Sequence, residues 1–267
     1  MWAFAGWRIP LYFLLLITPG KWLYALSKYI PITFPANPRR ARFFSSKSDL
    51  SRVLELVRSE DLDVLVLNEV LREFHQSVLE RELRTLGFIS FAWGFLDYFP
   101  DAALGTLVAS KFPADPFLAT VREFAQLRRG SRTAALRFRD MSLSVIGCHL
   151  ELAARELAKE QLEDLVALHD AEKRQGRAVV IAGDCNDSAR NIARHETFAA
   201  LGLSSVTKRA TCPLGFPALL RWDLDHIFLP PGWRVLDTRY IGFGSDHLAV
   251  AADVVPPFPE PGRILEA

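Results

Sequence analysis

Six polar residues stand at the edges of apolar runs: Glu69, His149, Asp184, Asn186, Asp225 and His247. Glu69 lies in Leu-Asn-Glu-Val, His149 in Gly-Cys-His-Leu, and Asp184 and Asn186 in Gly-Asp-Cys-Asn-Asp. Asp225 opens Asp-His-Ile, and His247 closes Ser-Asp-His. Leu65–Leu67, Val145–Gly147, Val179–Ala182 and Ile241–Phe243 read as buried strands leading into four of these islands. Carboxylates, a carboxamide and imidazoles gathered at strand ends are the materials of a metal-assisted hydrolytic site.

A phosphodiester resists water because the phosphate is anionic and the departing oxygen is basic. Its hydrolysis needs a cation on a non-bridging oxygen, a base for water, and stabilisation of the leaving oxygen. Glu69 suits the first task, since a hard carboxylate at a strand end is how Mg²⁺ is held. His247 suits the second if a carboxylate fixes its tautomer, and Asp225 is the candidate partner. Asp184 and Asn186, two apart on one loop, are placed to orient water or phosphate. His149 is a candidate acid or phosphate contact. Asp187 reads as a cap for the following turn, and the helical positions of His75, His169 and His195 read as structure or surface.

The elements that must hold these residues can be traced from Pro31 onward. Ser48 caps a helix running to Ser59, with Leu50, Val53, Leu54 and Val57 on one face. Leu62–Leu67 reads as a strand, and a second helix spans Arg72–Leu86, closed by Gly87. Strands are expected at Thr106–Ala109, Thr133–Phe138 and Leu143–Cys148. A long helix follows over Ala154–Lys173, then a strand at Ala178–Ala182 and a short helix near Glu196–Leu201. Strands at Asp225–Leu229, Trp233–Tyr240 and Leu248–Val254 complete the chain. Helices alternate irregularly with strands, some close enough to be hairpins. This argues for a layered α/β or α+β body whose sheets are not purely parallel.

Half of the 267 residues are apolar and 24% are charged, enough for one large core. Net charge is +1, but the first thirty residues hold Arg8, Lys21 and Lys28 and no acid, so the remainder is acidic by two. Such a body has no positive excess for gripping a polyanion by counterion release, although metal-supplied charge would still permit nucleic-acid cleavage. Cys148, Cys185 and Cys212 lack zinc-type spacing and indicate no disulfide framework. Residues 1–30 are apolar and rich in tryptophan and tyrosine, with Ile9–Ile17 interrupted at Pro19-Gly20. They read as a membrane-surface anchor, an export signal or an apolar extension packed on the body, which makes a membrane-associated or exported protein the expectation, with a cytoplasmic one the alternative.

Taken together, the order Glu, His, Gly-Asp-x-Asn, Asp-His-Ile and Ser-Asp-His resembles the endonuclease/exonuclease/phosphatase superfamily over about residues 32–254. The resemblance implies a four-layer sandwich, two packed mixed β-sheets flanked by helices, in a catalytic domain over residues 31–267. It also implies hydrolysis of a phosphoester with Mg²⁺ or Mn²⁺. Glu69 then matches the metal-binding glutamate, and His149 the histidine that contacts phosphate or protonates the leaving group. Asp184 and Asn186 match the pair that orients nucleophile and transition state, and His247, with Asp225, the terminal histidine. Asp246 matches a carboxylate near the metal, and Asn37 is the candidate for an asparagine beside it.

Two positions depart from that pattern. Asn68 stands where a glutamine usually precedes the glutamate, and Gly105-Thr106-Leu107 replaces a frequent Gly-Asn-Ala. The substrate is a phosphodiester in either of two classes, nucleic acid or a phospholipid or small phosphoester. A non-catalytic binding protein of the same fold would have lost Glu69, the Gly-Asp-x-Asn pair or His247, and none is lost.

Overall fold

The computed structural model describes residues 47–99, 102–117, 132–150, 155–213, 221–242, 245 and 247–257. Helix α1 (Lys47–Glu60) and helix α2 (Arg72–Thr85) flank strand β1 (Val64–Leu71) in sequence. Strands β2 (Ser90–Phe99), β3 (Ala102–Ser110) and β4 (Ala114–Pro116) follow, then β5 (Arg132–Phe138) and β6 (Leu143–His149). Helix α3 (Arg155–Arg174) leads into β7 (Ala178–Asp184) and the short helices α4 (Ala189–Ile192) and α5 (Glu196–Ala199). The remaining strands are β8 (Ser204–Ser205), β9 (Cys212–Pro213), β10 (Arg221–Trp222), β11 (Asp225–Leu229), β12 (Arg234–Ile241) and β13 (Ala249–Val255).

Six strands form one mixed sheet in the order β4-β5-β6-β7-β11-β8. Only β6 and β7 pair in parallel within it. A parallel pair cannot be closed by a tight turn, and α3 supplies the crossover. Strands β1, β3 and β2 make an antiparallel three-stranded sheet. The ladders β12–β13 and β9–β10 are separate two-stranded pairs. The body is therefore α+β with a mixed sheet and flanking helices, but its described strands fall into four hydrogen-bonded groups.

Three apolar clusters hold these elements together. Leu54 and Val57 of α1 and Leu79 and Leu83 of α2 pack on Leu65, Leu107 and Ala109 of the three-stranded sheet. The opposite face of that sheet, with Ala92 and Val108, meets Ala134, Leu136, Val145 and Val180 of the six-stranded one. Beyond it, Leu162, Leu165 and Leu168 of α3 cover Ile146, Ile181 and Phe228. Strand periodicity explains the division: Val145 faces the other sheet while its neighbour Ile146 faces α3.

Both long helices after β1 end as expected of a glycine stop. Gly87 and Gly176 have φ of 90° and 76°. Phe88 N donates to Leu83 O and Arg177 N to Glu172 O, closing the last turns. Sequence periodicity located the longer helices and most of the longer strands to within a few residues, and the short helix expected near Glu196 is α5. Strand β2, helix α4 and the short strands β4, β8, β9 and β10 were not anticipated, and Ser48 lies inside α1 instead of capping it.

The expectation of a membrane-associated or exported protein is also corrected. Among the described residues no helix is long and apolar enough to cross a membrane. The segment 1–30 on which that expectation rested lies outside the described residues, as do Asn37 and Asp246.

Candidate active site

The register of the six-stranded sheet assembles the site. His149 at the end of β6 lies opposite Asp184 at the end of β7. Asp184 in turn lies opposite Asp225, the first residue of antiparallel β11. Residues in register project to the same side of a sheet, so three adjacent strands deliver three polar groups in one row. The row continues the face that carries Val145, Val180 and Ile227 toward the three-stranded sheet. Apolar residues fill that face until the strand ends, where the polar residues begin.

Glu69 reaches the row from the other sheet through an irregularity in β1. The β1–β3 register shifts between Leu67 and Val70, and Glu69 has φ of 60°. In a regular strand Glu69 would share the helix-facing side with Leu65 and Leu67. The extra residue of a bulge re-aims a side chain in this way. Its carboxylate comes within 4.0 Å of His149 Nε2, which is 3.6 Å from Asp184 Oδ2. The Glu69 side chain keeps 44% of its surface exposed, whereas those of His149 and Asp184 are nearly covered.

The Gly-Asp-x-Asn loop is held by its own geometry. Gly183 has φ of 141°, and a Cβ there would fall 1.9 Å from Cys148 O. Only glycine fits. Asp184 Oδ1 accepts from Asn186 N at 2.9 Å, an Asx-type turn. Asn186, with φ of 51°, donates from Nδ2 to Leu150 O at 2.7 Å, so its amide group is tied to the end of β6. Ser188, not Asp187, caps the following helix, its Oγ accepting from Asn191 N, while Asp187 Oδ1 accepts from Ser188 N and Asn191 Nδ2.

His247 completes the group. Its Nδ1 is 2.7 Å from Asp225 Oδ2, the partnership expected from sequence. One ligand atom each from Asp184, Asp225 and His247 lies within 4.8 Å of the others. Burial disfavours a charged imidazole, but the hydrogen bond that the ring donates to Asp225, a contact with Cys212 and the nearby carboxylates prevail. They push the His247 pKa up to about 11. Among the described residues this trio is the group whose ligand atoms stand close enough together to hold a divalent cation. Glu69, the more open carboxylate, offers a further hard oxygen beside His149.

Sequence reasoning missed three supports. Thr106, fully buried, donates through Oγ1 to Asn68 Oδ1 at 2.9 Å. The two departures from the superfamily pattern thus contact each other. Thr211 accepts through Oγ1 from both Leu224 N and Asp225 N. His226 is 1% exposed and bonded at both ring nitrogens. Its place in Asp-His-Ile was the only signal in the sequence. Cys148 and Cys185 line the α3 side. A hydrogen bond with Cys148, burial and the adjacent carboxylates push the Cys185 thiol well above its usual range, so it stays protonated and is no nucleophile.

With this geometry in place, the comparisons are consistent. The sequence profile of the Endonuclease/Exonuclease/phosphatase family matches residues 41–247, and the chain belongs to that family. No curated protein matches the chain. Among solved structures it is similar to an endonuclease/exonuclease/phosphatase from Beutenbergia cavernae, with TM-score 0.61 and 21% identity over 80% of this chain and 67% of that one. It is similar to D. rerio TDP2 complexed with a single-strand DNA product, with TM-score 0.58 and 18% identity over 78% and 92%. The human Nocturnin catalytic domain with bound sulfate gives TM-score 0.60 and 16% identity over 79% and 87%. At such identities these likenesses concern the fold.

Proposed function

We propose that the protein is a Mg²⁺- or Mn²⁺-dependent phosphodiesterase whose catalytic domain spans residues 31–267. The observation that carries this reading is the row Glu69, His149, Asp184 and Asp225–His247 at one end of the two facing sheets. In this reading β12–β13 extends the three-stranded sheet, since Val250, Ala252 and Val254 join the inter-sheet cluster. The result is a four-layer sandwich.

Glu69 is assigned as the metal ligand, with Asn37 and Asp246 completing its protein donors. A divalent cation bound there supplies positive charge to a non-bridging phosphate oxygen. Asp184 and His247 hold the attacking water, and one of them accepts its proton. Asp225 fixes the His247 ring by its hydrogen bond to Nδ1. Asn186 orients the loop and donates to phosphate. His149, between Glu69 and Asp184, contacts phosphate or protonates the departing oxygen.

The testing experiment is hydrolysis, with Mg²⁺ or Mn²⁺ and then with excess chelator, of a panel of soluble and lipid phosphodiesters. Plasmid DNA, single-stranded DNA, RNA, sphingomyelin, phosphoinositides and a generic bis-phosphate ester cover the candidate classes. Single-stranded DNA is included because a protein of similar fold holds such a product. Metal-dependent turnover of at least one is expected. Full activity in excess chelator would refute the metal assignment.

A further inference from the structure

His226 sits beside a proposed catalytic residue yet faces the other way. Consecutive strand residues point to opposite sides of a sheet, so Asp225 turns toward the site and His226 toward the α3 side. The imidazole is buried, and its ring lies 5.2 Å from that of Phe228, centre to centre. From there His226 Nε2 reaches the carbonyl of Asp187 at 2.9 Å, and Nδ1 lies 3.1 Å from Ser205 Oγ. A carbonyl can only accept, so Nε2 carries the proton. In the neutral ring Nδ1 then accepts from the Ser205 hydroxyl. Ser205 Oγ has a lone pair left for Thr207 N, which donates to it at 3.1 Å. The chain of bonds is complete and has one direction: Thr207 N to Ser205 to His226 to Asp187 O.

Both ends of that chain touch the site. Thr207 Oγ1 donates to the carbonyl of Asp225 at 2.9 Å. Asp187 ends the loop bearing Asp184 and Asn186, whose backbone departs from extended geometry at Gly183 and Asn186. Asn186 tolerates its left-handed conformation but does not enforce it, so an external tie is needed to keep the loop in one shape. Asp225 N is itself tied by Thr211 Oγ1. The buried ring therefore couples the position of the loop to that of the strand carrying Asp225.

We infer that His226 is a positioning residue: its Nε2–H bond to the Asp187 carbonyl sets where Asp184 and Asn186 stand relative to the Asp225–His247 pair. The inference rests on the phosphodiesterase reading for its catalytic consequence, but its structural half is independent of it.

Two near-isosteric substitutions separate the contacts. In His226→Gln the side-chain amide nitrogen can occupy the Nε2 position and still donate to Asp187 O. In His226→Asn the shorter amide reaches only the Ser205 side. Amide hydrogen exchange of the peptide covering residues 183–188 is measured first, in the full-length protein. The Asn variant is expected to exchange at least tenfold faster there, and the Gln variant within about threefold of the parent protein. On whichever phosphodiester the parent hydrolyses, His226→Asn is expected to lower kcat by about 10–100-fold. KM should change by less than about threefold, and His226→Gln should recover most of kcat. A purely structural role would lower melting temperature alike in both variants without this kcat contrast. Ser205→Ala, which leaves the ring in place but removes its Nδ1 partner, is the second route should His226→Asn not fold, and an intermediate loss is expected.

Loop exchange unchanged in His226→Asn, or kcat equal in the Asn and Gln variants, overturns the inference. If the parent protein hydrolyses no phosphodiester, the reading of function fails. The exchange contrast then decides the structural half alone, with equal protection refuting it.

Discussion

The two ends of strand β6 carry two kinds of buried charge. At its start, Ser144 Oγ donates to Glu172 Oε2 at 2.8 Å. Arg137 grips the same carboxylate through Nε at 2.9 Å and Nη2 at 2.6 Å, and Arg177 lies 3.7 Å away. The Glu172 side chain is fully covered. At the other end, His149 stands 3.6 Å from Asp184 and 4.0 Å from Glu69, too far for hydrogen bonds within these pairs. The first cluster is closed around a single covered carboxylate, whereas the second is open, since Glu69 keeps 44% of its side-chain surface exposed beside His149, Asp184 and the bonded Asp225–His247 pair. Buried charge alone does not mark an active site; several acid and base groups gathered at an open edge are what distinguish it.

Substitutions at the open end should abolish chemistry and spare the fold, which is the sharpest way to break this comparison. His247→Ala and Asp184→Asn are each expected to reduce kcat by about 10²–10⁴, the usual cost of a positioned acid or base. Asp225→Asn should cost less than His247→Ala, since it disturbs the tautomer and keeps the imidazole. Glu69→Gln should raise the metal concentration needed for half-maximal activity. Near-parental rates in both His247→Ala and Asp184→Asn, with unchanged circular dichroism, would remove the site assignment.

The closed end should show the opposite split. Glu172→Gln retains shape but discards the charge facing Arg137. Breaking a buried pair costs about 3–5 kcal/mol when one partner is left stranded. Arg137, one-third exposed and stacked over Phe117, keeps some solvation, so about 2 kcal/mol is expected. Burial pushes the Glu172 carboxyl up, but the bonds from Arg137 and Ser144 prevail and hold it below its ordinary 4.5. A carboxylate with depressed pKa stabilises the fold above its unfolded value, and that contribution is lost as pH falls through the folded value. The stability gap between parent and Glu172→Gln should thus be full at pH 7 and shrink below pH 4.5. Denaturant midpoints at both pH values measure it, and a gap unchanged by acid would contradict the assignment. Turnover at pH 7 should stay near the parental rate.

How far the sequence revealed these two ends differs for a physical reason. The candidate residues Glu69, His149, Asp184, Asn186, Asp225 and His247 lie within short local motifs at strand ends, and apolar periodicity places the strands, so their gathering at one edge could be anticipated from the chain. The Asp225–His247 pairing was also legible, because an imidazole needs an orienting carboxylate and one lay in a neighbouring motif. The closed cluster joins residues 137, 144, 172 and 177. Glu172 resembles any charged residue near the end of an amphipathic helix, and no local pattern says that it faces inward toward Arg137. The bulge at Glu69 was hidden likewise, since a register shift is a property of two strands and not of one. Strand β2 escaped notice because its run, Ser-Phe-Ala-Trp-Gly-Phe, mixes sizes without clean alternation. The close approach of Gly94 to Thr133 O explains the glycine only after the fold is known.

Thr211 offers the finest division between the two ends, because it is buried and fully bonded like the closed cluster yet serves the open one. Its Oγ1 accepts from Leu224 N at 3.1 Å and Asp225 N at 3.0 Å, and its carbonyl accepts from Leu248 N at 2.6 Å. It is therefore bonded to the residue that starts β11 and to the residue after His247. Thr211→Val preserves volume and the backbone bonds but removes the acceptor, so two backbone N–H groups lose their side-chain partner. A cost of about 1–2 kcal/mol in stability is expected, with kcat down about tenfold as Asp225 moves relative to His247. Thr211→Ser, which keeps the hydroxyl, should recover the rate even though it loses a methyl group. Stability and kcat measured on the same two variants read the two effects separately. If Val and Ser lower kcat equally, packing of the methyl group and not the hydroxyl sets the Asp225–His247 geometry, and the order of supports drawn from these hydrogen bonds is wrong.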